Sequence, residues 1–163
     1  MVNFYKERTV KWINGTVVLI DQSKLPNRFT YIQCIDSTQI ANAISNMNVR
    51  GAPAIGVAAA MGLALTALNS KAKTKQELLL ELDVAGKELA KTRPTAINLS
   101  WGINRIYSKA LETNGDMDFL KQTIIKEAKY MADEDIAICK EIGKTGSTLL
   151  EDGNKVLTHC KWL

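Results

Sequence analysis

Apolar, β-prone residues fall in three short runs between residues 9 and 35, and the polar residues between these runs are typical of turns. Two β-prone runs, 9–13 and 16–20, flank the dipeptide Asn14-Gly15, which is the strongest short-range signal for a two-residue hairpin turn. A third β-prone run, 29–35, predicts a third strand. We therefore expect the chain to open with a small antiparallel sheet.

Beyond the predicted sheet, apolar residues recur every three or four positions, which is typical of helices. A first helix should follow possible caps at 36–38 and end near Asn48. Thr74 and Glu77 have the spacing of a capping box, and the helix that they open should continue to about Lys91. The sheet is therefore followed by a bundle of helices.

The second half of the chain adds helices to this bundle. Pro94 stands where the first turn of a helix tolerates proline, and this helix should pass through 101–106. Residues 116–150 predict one helix, or two that are separated near Gly143 or Gly146. The fold class is therefore α+β, a small antiparallel β-sheet followed by a helical bundle.

The last residues change pattern again. A turn at 152–154 precedes a β-prone run, 155–159, that predicts a short strand. Strands that follow helices normally belong to a sheet with both faces covered, and such a sheet needs further strands. We therefore expect one domain at 1–150 and a stub at 151–163 that begins a second domain.

An uncharged run, 51–70, is long enough to span a membrane. Its glycine, proline, threonine, asparagine and serine residues oppose insertion, and few of its residues favour insertion strongly. The preferred interpretation is an alanine-rich and glycine-rich helix that is buried on all sides, because small side chains let neighbouring elements approach closely. We therefore expect no membrane partner.

Composition and charge exclude other classes. The chain has 163 residues, 46% of them hydrophobic and 23% charged, and this size suits one packed domain. A formal charge of +4 is spread without a dense basic run, so no nucleic-acid partner is expected. The first residues contain no signal-peptide pattern.

Three cysteines and a single histidine limit the possible chemistry. Cys34, Cys139 and Cys160 form neither a Cys-x-x-Cys pair nor an even set for disulfides, which favours a reduced, cytoplasmic setting. A zinc site would have to draw on these scattered thiols, and Ser-His or Cys-His catalysis would depend on His159 alone. Neither is expected.

The most informative segment for chemistry is the start of the long apolar helix. Arg50 and Gly51 precede Ala52 and Pro53, and Pro53 falls in the first helical turn. The first amides of a helix lack internal acceptors, glycine permits close backbone approach and arginine offers a bidentate fork, so the segment suits a phosphate or a sugar oxygen. An arginine that caps a loop beside a packed helix is an equally good interpretation of this spacing.

A second segment, 92–98, repeats this design, with Arg93 directly before Pro94 at a predicted helix start. If the two helix N-termini converge, Arg50, Arg93 and the free amides form a cationic pocket for an anionic small molecule. The alternative is that Arg93 is solvated or paired with a carboxylate.

A third segment places a thiol at the end of the last predicted strand, where α/β sheets hold their ligands. Neighbouring strand residues point to opposite faces, so His159 is badly placed to deprotonate Cys160. Cys160 then acts alone, or it is a buried and inert thiol. Cys34 and Cys139 are interpreted as core or surface thiols.

Four stretches of sequence carry a resemblance to a known family. They are RGAPAIGVAAAMGLALTA at 50–67, TRPTAINLSWGINR at 92–105, DEDIAICKEIGKTG at 133–146 and VLTHC at 156–160. In order and separation they resemble the methylthioribose-1-phosphate isomerase family, as does the opening stretch VKWINGTVVLIDQSKLP. Related families are the regulatory α, β and δ subunits of eukaryotic initiation factor 2B and archaeal isomerases of ribose 1,5-bisphosphate and deoxyribose phosphates.

The resemblance implies an aldose–ketose isomerase of methionine salvage that converts 5-methylthioribose 1-phosphate to 5-methylthioribulose 1-phosphate without metal or organic cofactor. It also implies that Arg50, Gly51, Ala52 and Arg93 bind this small sugar phosphate and that Cys160 is the catalytic thiol. The phosphate on the anomeric oxygen blocks ordinary ring opening, so an acid must protonate the ring oxygen first. By the same resemblance, the full-length protein is expected to be a homodimer.

The end of the chain departs from the family pattern. The family continues after the thiol with Asn-Ala-Gly and a complete Rossmann-like domain that carries the acid, whereas this sequence reads Lys161-Trp162-Leu163. We therefore expect the amino-terminal part of such an isomerase, truncated in the first strand of the Rossmann-like α/β domain and inactive alone. Two alternatives stay open: a regulatory or binding module like the initiation-factor 2B subunits, and an isomerase of another sugar 1-phosphate, such as ribose 1,5-bisphosphate or deoxyribose phosphate.

Overall fold

The computed structural model describes residues 7–157 and opens with a three-stranded antiparallel sheet. Its strands, in spatial order, are β1 (Val10–Ile13), β2 (Thr16–Ile20) and β3 (Tyr31–Cys34). Ile13 pairs with Thr16, so only Asn14 and Gly15 form the turn, and their positive φ angles of 48° and 81° are those that a two-residue hairpin favours. The predicted hairpin is confirmed, and the third strand is present in a shorter form.

Five helices follow the sheet within the described residues. They are α1 (Ser37–Ser45), α2 (Ala52–Asn69), α3 (Lys75–Thr92), α4 (Ile97–Glu112) and α5 (Met117–Ser147). α2 lies at the centre and contacts the other four helices as well as β1 and β2. The predicted sheet followed by a helical bundle is confirmed.

The core of the protein is built around α2. Every residue from 55 to 65 is buried, and side chains from the sheet and from α1, α3, α4 and α5 join the same core. Of the helices in residues 7–157, α2 alone is long and apolar enough to cross a membrane, but 67% of it is buried inside the protein. The structure therefore agrees with the interpretation of the uncharged run as a core helix.

Three helices begin with a side-chain cap. The side chains of Asp36, Thr74 and Asp116 cap α1, α3 and α5 by accepting a hydrogen bond from a backbone amide of the first turn. At α3 the Glu77 carboxylate in turn accepts from the Thr74 backbone N–H at 3.3 Å. The predicted capping box is therefore confirmed.

The prediction that Pro94 opens α4 is wrong. The backbone N–H of Ala96 donates to the carbonyl oxygen of Arg93 at 3.0 Å, so Pro94 and Thr95 occupy the middle of a turn between α3 and α4. The fixed φ of proline suits the second position of such a turn as well as it suits a first helical turn. α4 therefore begins three residues after Pro94, at Ile97.

α5 is a single helix that continues through Gly143 and Gly146. Both glycines are in open space, and a glycine in an exposed helix costs only about 1 kcal/mol relative to alanine, so neither ends it. Of the two arrangements considered for 116–150, the unbroken one is therefore correct.

The turn predicted at 152–154 is present, since the backbone N–H of Asn154 donates to the Glu151 carbonyl oxygen at 3.1 Å. Residues 155–157 are not assigned to a strand, and 158–159 lie outside the described residues. The final strand and the division of the chain at residue 150 therefore stay predictions.

Candidate functional site

The candidate site starts at the N-terminus of α2. Gly51 precedes the helix with a φ of 101°, a backbone conformation that favours glycine. Pro53 lies in the first turn, and no side chain caps the helix. Residues 51–53 are exposed, so the unpaired amides of this turn are open to solvent.

α4 also begins without a side-chain cap. Its N-cap residue is Ala96, which has no polar side chain, and the first helical residue, Ile97, is 83% exposed. Within residues 7–157, α2 and α4 are the two α-helices that lack a capping side chain, and each follows a segment that contains an arginine, Arg50 or Arg93. Open helix N-termini carry partial positive charge and attract anions.

Two glycines bring these helix starts together. A Cβ atom on Gly56 would lie 2.7 Å from the Asn98 carbonyl oxygen, and one on Gly102 would lie 2.4 Å from the Gly56 carbonyl oxygen. The backbones of α2 and α4 therefore touch at this crossing. Gly56 lies four residues, or about 6 Å, after Ala52, and Asn98 is the second residue of α4, so both N-termini lie within about one helical turn of the crossing.

Arg50 is held at two points by one residue, Gln22. The backbone N–H of Arg50 donates to Oε1 of Gln22, and the guanidinium Nη2 of Arg50 donates to the Gln22 carbonyl oxygen. The arginine is half-buried, and the other nitrogens of its guanidinium keep donors for a ligand. Arg50 therefore ties down a loop, as one interpretation of the sequence held, and still presents part of its fork.

Arg93 is half-buried at the C-terminal end of α3. Its guanidinium forms no hydrogen bond or ion pair with any residue from 7 to 157, whereas that of Arg105 is paired with Glu127 and Glu134. The described part of the chain therefore provides no carboxylate partner for Arg93. Its charge adds to the positive character of the segment before α4.

A buried carboxylate supports the segment before α2. Asp21 is 2% exposed and accepts hydrogen bonds from Ser23 Oγ at 2.6 Å and from Asn48 Nδ2 at 2.8 Å, while Lys24 Nζ lies 3.1 Å from its other oxygen. Burial raises the pKa of Asp21, but these three donors together outweigh burial and lower the pKa to about 2. The backbone N–H of Gln22 also donates to the Asn48 carbonyl oxygen, at 2.8 Å, so the two segments form one hydrogen-bonded unit.

The cysteines differ in their surroundings. Cys34 is buried in β3, and burial, with a smaller contribution from the charge of Asp36, raises the pKa of its thiol to about 11. Cys139 is exposed on α5. Cys160, the candidate catalytic thiol, lies outside the described residues.

Sequence reasoning missed the residues that support Arg50. Gln22 is 28 positions from Arg50, and Asp21 is 27 positions from Asn48. Neither pair belongs to a strand ladder or a helical repeat, so no periodic signal marks it.

A groove of about 790 Å³ lies elsewhere, between α1 and α3. It includes neither Arg50 nor Arg93, and its lining contains two acidic side chains, Glu81 and Glu88, and one basic side chain, Lys91, which lies 2.6 Å from Glu88. Because the charged lining of this groove is acidic on balance, the crossing of α2 and α4 is the better candidate for an anionic ligand.

Comparison with known proteins gives relatives over nearly the whole chain. Residues 48–162 match the Initiation factor 2 subunit family. The methylthioribose-1-phosphate isomerases of Geobacter metallireducens and Nostoc punctiforme are each 44% identical to this chain over 154 residues, which is 94% and 93% of this chain and 44% of each relative. The chain therefore spans less than half the length of these curated relatives.

Two solved structures share the fold. The crystal structure of 5-methylthioribose 1-phosphate isomerase from Pyrococcus horikoshii OT3 matches with a TM-score of 0.85 and 44% identity, covering 90% of this chain and 41% of that chain. Translation initiation factor eIF-2B, subunit delta, from A. fulgidus matches with a TM-score of 0.81 and 40% identity, covering 90% of this chain and 42% of that chain. Because the family match extends over most of its residues, the chain belongs to the Initiation factor 2 subunit family.

Proposed function

We propose that this chain supplies part of the substrate site of an aldose–ketose isomerase that converts 5-methylthioribose 1-phosphate to 5-methylthioribulose 1-phosphate. The observation that carries this proposal is the high identity, along nearly the whole chain, with relatives that bear this name. The geometry supports an anionic substrate, because two open helix N-termini meet beside two arginine-bearing segments.

In this proposal the start of α2 binds the substrate through Arg50, Gly51 and Ala52, and Arg93 binds it from the segment before α4. Phosphate and sugar oxygens accept hydrogen bonds from unpaired amides and from an arginine fork. The backbone of Gly51 can approach a ligand closely because it carries no Cβ atom. These residues bind and orient the substrate, and they move no proton.

The proposed chemical steps are assigned to no residue from 7 to 157. The anomeric phosphate blocks ordinary ring opening, so an acid must protonate the ring oxygen before hydrogen moves between the first two carbons. Cys160 is proposed to assist the hydrogen shift or to stabilise its transition state. The acid is assigned to no residue from 7 to 157.

Binding is tested separately from turnover, by titrating the ¹⁵N-labelled chain with methylthioribose 1-phosphate. Shift changes should concentrate in residues 50–56 and 93–99. Arg50→Ala should weaken binding at least tenfold, since a hydrogen bond to a charged group contributes about 1.5–3 kcal/mol. Lys129→Ala removes one exposed positive charge from α5 and should leave binding unchanged. An equal loss in both variants would mean that the phosphate binds only through nonspecific charge attraction.

Turnover is tested with the same substrate and with the Cys160→Ala variant. Isomerisation by the 163-residue chain that survives this substitution would overturn the proposed role of the thiol. Turnover that disappears with the substitution would support the proposed role of the thiol and would mean that this chain also supplies an acid.

A second candidate function is a regulatory or binding module. The likeness to translation initiation factor eIF-2B, subunit delta, favours it. It predicts association with a protein partner and no response of the α2 and α4 starts to sugar phosphates. The titration above therefore separates the two functions, and titrations with ribose 1,5-bisphosphate and deoxyribose 1-phosphate separate methylthioribose 1-phosphate from other sugar phosphates.

A further inference from the structure

Gln22 makes contacts with Arg50 that the proposed reaction does not explain. Its side-chain oxygen accepts from the backbone of Arg50, and its own carbonyl oxygen accepts from the guanidinium. One residue thus holds both ends of the arginine. Gln22 itself is half-buried, and it lies outside the two helix starts that form the candidate site.

We infer that Gln22 is a positioning residue, which fixes the fork of Arg50 at the start of α2 before a substrate arrives. This inference rests on the proposed function, because it gives Gln22 a role only through a substrate-binding Arg50. It adds to the site a residue that need not touch the substrate.

The side chain of arginine is long and flexible. A free arginine samples many rotamers, and a ligand that binds it must remove that freedom. Holding the backbone alone leaves the fork mobile, while holding the guanidinium alone leaves the loop mobile. Gln22 restrains both, so the fork is already placed when the ligand binds.

Gln22 is itself well anchored. Its backbone N–H donates to the Asn48 carbonyl oxygen at 2.8 Å, and the Asn48 side chain donates to the buried carboxylate of Asp21, also at 2.8 Å. Asp21 directly precedes Gln22 in the sequence, and Asn48 lies two residues before Arg50. Through Asn48 and Gln22, the segment that contains Arg50 is thus linked to the buried carboxylate of Asp21.

A purely structural role is the competing explanation, in which Gln22 only ties one loop to another. In that case its loss would destabilise the protein and weaken ligand binding to the same extent whether or not Arg50 is present. A positioning role requires instead that the effect on binding pass through Arg50. A double-mutant cycle separates these two explanations.

The first measurement concerns the ligand-free protein. Gln22→Met keeps the size of the side chain and removes the acceptor, so the Arg50 amide proton should exchange at least tenfold faster. Gln22→Glu keeps an acceptor oxygen and should restore slow exchange. Gln122→Met, at an exposed glutamine of α5, is the matched control and should leave the Arg50 amide unchanged.

The second measurement is the affinity for methylthioribose 1-phosphate. Gln22→Met should weaken binding about five- to tenfold, the effect of one lost hydrogen bond. The same substitution in an Arg50→Ala background should weaken binding clearly less, because the part of the loss that passes through the fork is then already absent. An equal loss in both backgrounds, or an Arg50 amide that does not respond to Gln22→Met, would overturn the inference.

Failure of the proposed function would look different. If the unaltered chain binds no sugar phosphate, the proposed substrate is wrong for this site, and the positioning of Arg50 for it falls as well. The exchange measurement then still shows whether Gln22 fixes Arg50. If the chain binds the substrate and only the cycle is additive, the proposed function stands and the positioning role is rejected.

Discussion

The carbonyl oxygen of Gly56 lies only 2.4 Å from the position that a Cβ atom on Gly102 would occupy. Real Cβ atoms do not approach backbone oxygens so closely, so either the helices must separate or one backbone must shift. α2 begins four residues before Gly56 and α4 begins five residues before Gly102, so both helix starts are within about one and a half turns of this contact. The contact between two glycines therefore sets how closely the two halves of the candidate site stand.

Gly102→Ala should destabilise the protein and weaken ligand binding together. Overpacking a close contact costs about 1–3 kcal/mol, which exceeds the gain in helix propensity from replacing glycine. Urea unfolding measures the first effect, and titration with methylthioribose 1-phosphate measures the second. A variant as stable as the parent would show that α2 and α4 can separate without loss.

Gly143→Ala should have the opposite effect on stability. A Cβ atom on Gly143 meets nothing within 4 Å, and the residue lies inside α5. Alanine there should raise the free energy of unfolding by about 0.5–1 kcal/mol, because glycine loses more backbone entropy in a helix. The same urea measurement tests this prediction. A destabilised Gly143→Ala variant would mean that a neighbouring group is close enough to clash with the added methyl group.

Thr74→Ala should destabilise the protein by about 1 kcal/mol through loss of the cap of α3. The Thr74 side chain accepts from the Glu77 backbone N–H at 3.2 Å. Thr74→Ser keeps this acceptor and should retain most of the stability. Thermal unfolding of both variants distinguishes the hydrogen bond from the packing of the threonine methyl group.

Asp21 should make the protein sensitive to acid. Its pKa is about 2 in the folded protein, below the ordinary 3.8, so its contribution is fully present above pH 3.8 and is lost as the pH falls through 2. The difference corresponds to about 2 kcal/mol. Asp21→Asn should therefore be less stable near neutral pH, and the two unfolding curves should converge toward pH 2. A difference that does not change with pH would mean that the charge of Asp21 is not what stabilises this segment.

The cysteines should react at very different rates. In a Cys160→Ala chain at pH 8, a thiol reagent should label exposed Cys139 within seconds and Cys34 only on unfolding. Cys34 is protected both by burial and by its pKa of about 11, since the thiolate is the reactive form. Rapid labelling of both thiols would show that β3 opens easily.

Local chemistry explains what could be predicted from the sequence. Asn14-Gly15 specifies its own turn, and Thr74 with Glu77 specifies the start of α3, because each signal acts over two to four residues. The prediction from Pro94 was wrong because the φ of proline suits a turn and a helix start equally. The hydrogen bond from the Ala96 backbone N–H to the Arg93 carbonyl oxygen decides between them, and the sequence does not show it.

The candidate site was predictable only in part. Arg50 and Arg93 stand out because each precedes a helix, yet nothing local shows that the two helices cross at Gly56 and Gly102. The hold of Gln22 on Arg50 depends on how β2 and the loop after α1 pack together. Such contacts arise from tertiary packing, and a single sequence carries no periodic signal for them.

The small residues of α2 have a consequence for how rigid the site is. Alanine and glycine make up half of its 18 residues, and neither has side-chain rotamers to lose on burial. The helix at the centre of the bundle is therefore ordered with little loss of side-chain conformational entropy, although it is the most enclosed element. The first turn, which bears Ala52, is therefore held by a helix whose small side chains have few alternative conformations. The backbone donors of this turn should lose little further conformational entropy when they bind a ligand.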